Sequence, residues 1–206
     1  MINNLEFIKP LLEFPHKDIF YFVQVLERKK DHPEGGITGS NNNSRLIKGY
    51  FIKSIEHLEK QYPEMIKLAE LFGARVMINL NPRNFEKAAF HLLQKIANQM
   101  SNGDYQSIYK AYTSVCGEYH SEIDKRWLID IDDVDVPNME YIADYVSSLH
   151  AEIKNKEYKI LAKIPTRAGW HIITHPFNLE TFNKRFVGID CHKNNPTLLY
   201  FPNSIK

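Results

Sequence analysis

The chain has 206 residues, 43% hydrophobic, 25% charged and 12% aromatic, and a formal net charge of +1. That composition excludes a disordered, collagen-like or fibrous protein, and this length buries roughly 70% of the unfolded surface without staples. Cys116 and Cys191 are the only cysteines, which excludes a disulfide framework and a four-cysteine zinc site.

No apolar run approaches the roughly 18 residues of a membrane helix. The opening MINNLEFIKPLLEF has neither a basic n-region nor a small-residue cleavage site. A cytoplasmic protein with no membrane partner is therefore expected. Charge is distributed unevenly: residues 118–152 carry ten acidic and two basic side chains, whereas 153–206 carry nine basic and three acidic. A site that binds metal and polyanion together needs such neighbours, although solvated helix faces produce the same asymmetry.

In chain order, HKDIFYFVQVLERKK (16–30) has apolar residues at helical spacing and predicts a helix. The polar stretch DHPEGGITGSNNNS follows, long enough to be either mobile or functional. LIKGYFIK (46–53) predicts a strand, and Ser54 caps a helix that runs to Gly73 with an interruption near Pro63. ARVMINL (74–80) predicts a second strand, Asn84 caps a helix over 85–99, and another helix covers roughly 104–116. Residues 1–117 thus form an N-terminal α/β lobe.

Residues 118–206 have a cleaner order. RWLIDID (126–132) is a strand and MEYIADYVSSLHAEI (139–153) an amphipathic helix opened by Pro137 and Asn138. YKILAKI (158–164) and WHIIT (170–174) are strands joined by the turn TRAG. A short helix, LETFNKR, leads to FVGID (186–190) and TLLYF (197–201), both strand-like. The expected fold class is therefore α+β: an RRM-like, or ferredoxin-like, βαββαβ sheet packed against the smaller N-terminal lobe, the two forming one compact unit. In that topology the first and third strands are neighbours. Alternation then puts Asp130 and Asp132 on one face with Leu128, and Ile129 and Ile131 on the other. His171 can share the carboxylate face, and so can Asp190 if the last hairpin flanks the first strand. The two helices cover the opposite face.

Two carboxylates at i and i+2 on a strand aim hard oxygen ligands at one point, and their repulsion calls for Mg²⁺ or Mn²⁺. A third carboxylate would let the site clamp a triphosphate for in-line attack. An EF-hand begun at Asp130 would need Gly and Glu where Asp135 and Tyr141 stand. Cys116 and His120 have the spacing of half a zinc site that Cys191 and His192 could complete, but adjacent residues rarely ligate one ion well. In PTRAGWHIITHPF a basic, glycine-containing turn offers backbone amides and Arg167, with His171 just inside the following strand.

A strand bearing Asp-x-Asp, then a glycine-containing turn with a strand-borne His, then an Asp before a last strand: this order resembles the archaeo-eukaryotic primase superfamily, including its primase-polymerases. The resemblance covers roughly residues 70–202. WLIDID matches the first motif, which implies that Asp130 and Asp132 are metal ligands. Gly169–Trp170–His171 matches the small-x-His motif, with Gly169 where a small hydroxyl residue is usual, and implies that His171 contacts the incoming nucleotide's phosphates. VGID matches the third motif and implies that Asp190 is the third catalytic, metal-binding acid. No zinc-binding element or helicase region accompanies the core.

Arg167 and Lys193 flank this site as further nucleotide-binding candidates, and Arg75 and Arg83 border a strand of the first lobe. The expected function is a metal-dependent nucleotidyltransferase of the primase-polymerase type, acting in DNA replication. Its partners are nucleoside triphosphates and single-stranded or primer-template DNA. A metal-dependent nuclease or phosphohydrolase would use the same acids with water as nucleophile. A non-catalytic module for single-stranded nucleic acid is the third reading, although RNP aromatics are absent and acids occupy its first strand.

Overall fold

A computed structural model describes residues 1–32, 43–118, 125–149 and 159–202. The polar stretch 33–42, the helix end at 150–153 and His120 lie outside the described residues. The chain is α+β, and every strand pairing is antiparallel. Its elements are β1 (Ile2–Asn3), α1 (Leu5–Ile8), β2 (Ile19–Arg28), β3 (Ser44–Ile52), α2 (Ile55–Phe72), β4 (Arg75–Ile78), β5 (Arg83–Asn84), α3 (Phe85–Ser101) and α4 (Ala111–Glu118). There follow β6 (Trp127–Asp132), α5 (Met139–Ser148), β7 (Ile160–Thr166), β8 (Gly169–Thr174), α6 (Leu179–Arg185), β9 (Cys191–His192) and β10 (Thr197–Phe201).

The first sheet has the order β1-β10-β4-β2-β3, with β5 also paired to β2. The segment expected to be a helix at 16–30 is its long strand β2. Both faces of its first half are covered: Tyr21, Val23 and Val25 pack with Leu58, Met65 and Ala69 of α2, while Phe20 and Phe22 pack with Ala88, Val115 and Cys116. A strand buried on both sides has no polar alternation, so its apolar run is indistinguishable from a buried helix by periodicity.

Helix α2 starts where Ser54 accepts the amide of His57 and ends on left-handed Gly73 (φ 55°). Pro63 does not interrupt it. The lost hydrogen bond is outweighed by the stripe Leu58, Tyr62, Met65 and Ala69, all buried on the sheet. Asn84 caps α3 as expected, its side chain accepting the amide of Lys87.

The second sheet has the order β7-β8-β6-β9. β6 and β8 are adjacent, with Asp130 opposite His171 and Asp132 opposite Gly169. One face carries Trp127, Ile129, Ile131 and Ile172 against Ile142 and Val146 of α5 and Phe182 of α6. The other carries Leu128, Ile164 and Ile173, which join the main core with the first sheet's Val76 and Leu199.

Two strand expectations are corrected. Residues 186–190 form a turn, and the pairing at that edge is made by the two residues of β9. TLLYF does not close the second sheet: as β10 it lies between β1 and β4 of the first. All five of its residues are buried, as suits a strand with a neighbour on either side. The division of the sequence at 117/118 therefore does not divide the sheets. Asn81 ties the crossing down, its side-chain amide donating to the carbonyls of Arg126 and Lys193 (both 3.0 Å) and its oxygen accepting the Arg126 amide (2.6 Å).

Candidate functional site

A cleft of about 420 Å³ separates the two sheets. On one side Asp130 and Asp132 rise from β6, His171 from β8 and His192 from β9, with Arg167 and Ala168 on the β7–β8 turn. On the other stand Arg28 of β2, Lys30 just beyond it, Ser44 of β3 and Arg75 of β4. Leu26, Met77, Leu128 and Leu198 supply apolar lining.

The Asp130 carboxylate is 43% exposed, and its Oδ1 is 3.5 Å from His171 Nε2. The interaction with His171 outweighs the opposing effect of burial, and with the neighbouring His192 and Lys30 it holds the carboxyl below its ordinary value. The Asp130 amide donates to the main-chain carbonyl of Asp190 (2.9 Å). Asp132 is exposed. His171 is buried and its Nδ1 lies 2.8 Å from the hydroxyl oxygen of Thr197, on β10 of the other sheet.

Gly169 explains why a small residue precedes His171. With φ +136°, it lies so close to β6 that a Cβ would stand 1.9 Å from the Ile131 carbonyl oxygen. No side chain fits there, so the hydroxyl usual in the resembled motif has no place on this backbone.

The basic side of the cleft is crowded. Burial, then the neighbouring Arg75 charge, push the Arg28 guanidinium down. Burial, then Arg28 and Arg75, do the same to the Lys30 ammonium. Beneath them Asp31, with its side chain fully buried, accepts two hydrogen bonds from Arg75 (2.6 Å each) and one from Arg167 (2.9 Å). Both guanidiniums also lie over the Phe201 ring, at 5.2 and 5.4 Å. Cations that depress one another's proton affinity are stabilised by a bound polyanion.

Of the residues singled out in the sequence, Asp130, Asp132, His171, Arg167 and Arg75 line this cleft. Asp190 contributes its main-chain carbonyl to Asp130, but its exposed side chain is not on the cleft wall. Lys193 extends over the Trp127 ring (5.1 Å), away from the cleft lining. Arg83 is fully buried, donating to the carbonyls of Asn81 and Cys116, and burial lowers its guanidinium to about 10. Cys116 is buried and its thiol is pushed up to about 11, a poor start for a zinc site. Arg28, Lys30, Asp31, His192 and Thr197 are additional members of the site. The sequence signalled Arg28 and Lys30 only as the basic end of the 16–30 segment, Asp31 only as the start of the polar stretch, His192 only as a candidate zinc ligand, and Thr197 only as part of the strand TLLYF.

Among the described residues, no three His, Cys, Asp or Glu side chains form a metal-binding group. Asp130 and Asp132 nonetheless suit Mg²⁺ or Mn²⁺ held jointly with a ligand's phosphates, because Mg²⁺ commonly takes only one or two carboxylates and completes its shell from phosphate and water. Both acids reach solvent, so neither must be uncovered to bind. Among the described residues no helix is long and apolar enough to cross a membrane. Compared with models of known families, with characterised proteins and with solved structures, the chain matches none.

Proposed function

We propose that the chain is a metal-dependent nucleotidyltransferase of the primase-polymerase type, adding NTP or dNTP units on a nucleic-acid template. The observation that carries this reading is the facing of two strand-borne carboxylates and a His, across one cleft, by Arg28, Lys30, Arg75 and Arg167. The order β9-β6-β8-β7, with α5 and α6 on one face, supports an RRM-like βαββαβ catalytic unit in which β9 is the fourth strand.

Each group then has a task. Asp130 and Asp132 would hold Mg²⁺ or Mn²⁺, which when bound supplies Lewis-acid polarisation of the α-phosphate and neutralisation of developing charge. Arg28, Lys30, Arg75 and Arg167 draw the triphosphate into the cleft and offset its charge. His171 presents a ring nitrogen to the phosphates beside Asp130. The apolar lining receives the less polar parts of the nucleotide. DNA is the proposed template, held through its backbone by the basic surface.

The test is incorporation of labelled nucleotides on primed and unprimed templates with Mg²⁺ or Mn²⁺. Products should lengthen only with complementary nucleotides, and Asp130→Ala should abolish them while retaining DNA binding. Shortened substrate with no nucleotide requirement would instead identify a nuclease. Salt-sensitive binding with neither change would identify a single-stranded nucleic-acid-binding module.

A further inference from the structure

We infer that Thr197 is the positioning residue for His171: its hydroxyl donates to Nδ1 and fixes the ring and its tautomer with Nε2–H aimed at Asp130 and the cleft. The role in ligand binding rests on the reading of His171 as a phosphate contact; the hydrogen bond itself does not.

A neutral imidazole has one N–H and one lone pair. Its Nε2 stands 3.5 Å from Asp130 Oδ1, where a lone pair would face a carboxylate and be repelled. The carboxylate therefore selects Nε2–H, which leaves Nδ1 as a buried acceptor that needs a donor. Thr197 is completely buried, and its Oγ1 stands 2.8 Å from Nδ1. A hydroxyl can rotate its proton onto that lone pair; a methyl group of the same shape cannot. Thr197 is not among the residues lining the cleft, so it acts through the ring. Its strand belongs to the first sheet and His171 to the second, so the hydrogen bond also sets the imidazole's place between the sheets.

The test uses the full chain labelled with ¹⁵N-histidine, at about pH 8.5 where an ordinary imidazole is neutral. In wild type, His171 Nε2 should be protonated and Nδ1 should resonate as a hydrogen-bonded acceptor. Thr197→Ser should preserve that pattern, and Thr197→Val should move Nδ1 to the position of a free acceptor. A protonated Nδ1 in wild type overturns the inference even if the valine variant does not fold. So does an Nδ1 resonance unchanged in Thr197→Val.

Affinity for a non-hydrolysable nucleoside triphosphate gives the second readout. Thr197→Val should weaken it about ten-fold and Thr197→Ser hardly at all. The double variant His171→Ala/Thr197→Val should bind no worse than His171→Ala alone, since the threonine acts through the ring. Additive losses overturn the positioning role. If wild type binds no triphosphate but shows the Nδ1 signature, the hydrogen bond stands and the proposed function falls.

Discussion

Asp31 and Arg167, 136 positions apart, meet at 2.9 Å beneath the cleft, where the same carboxylate also takes both arms of the Arg75 fork. One buried anion thus anchors a cation from the first sheet and another from the β7–β8 turn of the second. Burial pushes the Asp31 carboxyl up, but Arg75 and then Arg167 outweigh it and hold it below its ordinary value of 3.8. A lowered folded-state value stabilises the fold fully above the ordinary value, and that contribution is lost as pH falls through the lowered one.

Asp31→Asn should therefore cost about 3–5 kcal/mol, the range for breaking a buried pair from one side, with the half-exposed Arg167 favouring the lower end. Urea denaturation at neutral pH measures this loss. Between about pH 5 and pH 2 the gap between wild type and variant should narrow as wild-type Asp31 protonates. A gap that stays constant through that range would show that Asp31 is not the ionised anchor.

Gly169→Ser tests the close approach of β8 to β6. The substitution restores the hydroxyl residue of the resembled motif, yet the new Cβ would stand 1.9 Å from the Ile131 carbonyl oxygen at φ +136°. Backbone strain alone is about 1–3 kcal/mol, and relieving the clash must separate the Asp132–Gly169 register pair. Stability should fall by at least about 3 kcal/mol, with a loss of triphosphate binding. Unchanged stability would mean that these strands have room to move apart.

What was legible in the sequence was what local periodicity determines. Strand alternation alone put Asp130 and Asp132 with Leu128 and set Ile129 and Ile131 opposite, and the β6–β8 register brings His171 to Asp130. Caps were legible because Ser54 and Asn84 act on amides three residues away. Segments without polar alternation were not: the first half of β2 is buried at every position and imitated a helix, and β10, buried throughout, imitated a second-sheet strand. Arg28 and Lys30 on the basic side of the cleft were hidden for a different reason. Lys30 and Thr197 reach the site only through pairing between distant strands, which no local pattern encodes.

The two carboxylates of β6 should respond to a divalent cation together with a nucleotide rather than to the cation alone. With only two protein oxygens from this strand, the remaining ligands must come from phosphate and water. Mg²⁺ or Mn²⁺ plus a nucleoside triphosphate should raise the melting temperature, in proportion to the logarithm of ligand over Kd. Asp130→Asn with Asp132→Asn should remove the metal-dependent part of that rise while leaving the unliganded protein folded. An undiminished shift in the double variant would place the cation elsewhere.

Arg28 and Lys30 should show the opposite electrostatic sign. They crowd Arg75, which helps to lower the proton affinity of both, so a polyanion relieves repulsion as well as making contacts. Arg28→Ala with Lys30→Ala should weaken triphosphate binding by roughly ten- to hundred-fold, the loss of one or two charge-assisted contacts. The logarithmic salt dependence of binding should become shallower, because fewer counterions are exchanged. Nucleoside binding should change little, since the apolar lining of Leu26, Met77, Leu128 and Leu198 remains. Removing two mutually repelling cations should leave the unliganded fold as stable as wild type, or slightly more so. Equal losses for nucleoside and triphosphate, with an unchanged salt slope, would show that these cations shape the cleft without meeting phosphate.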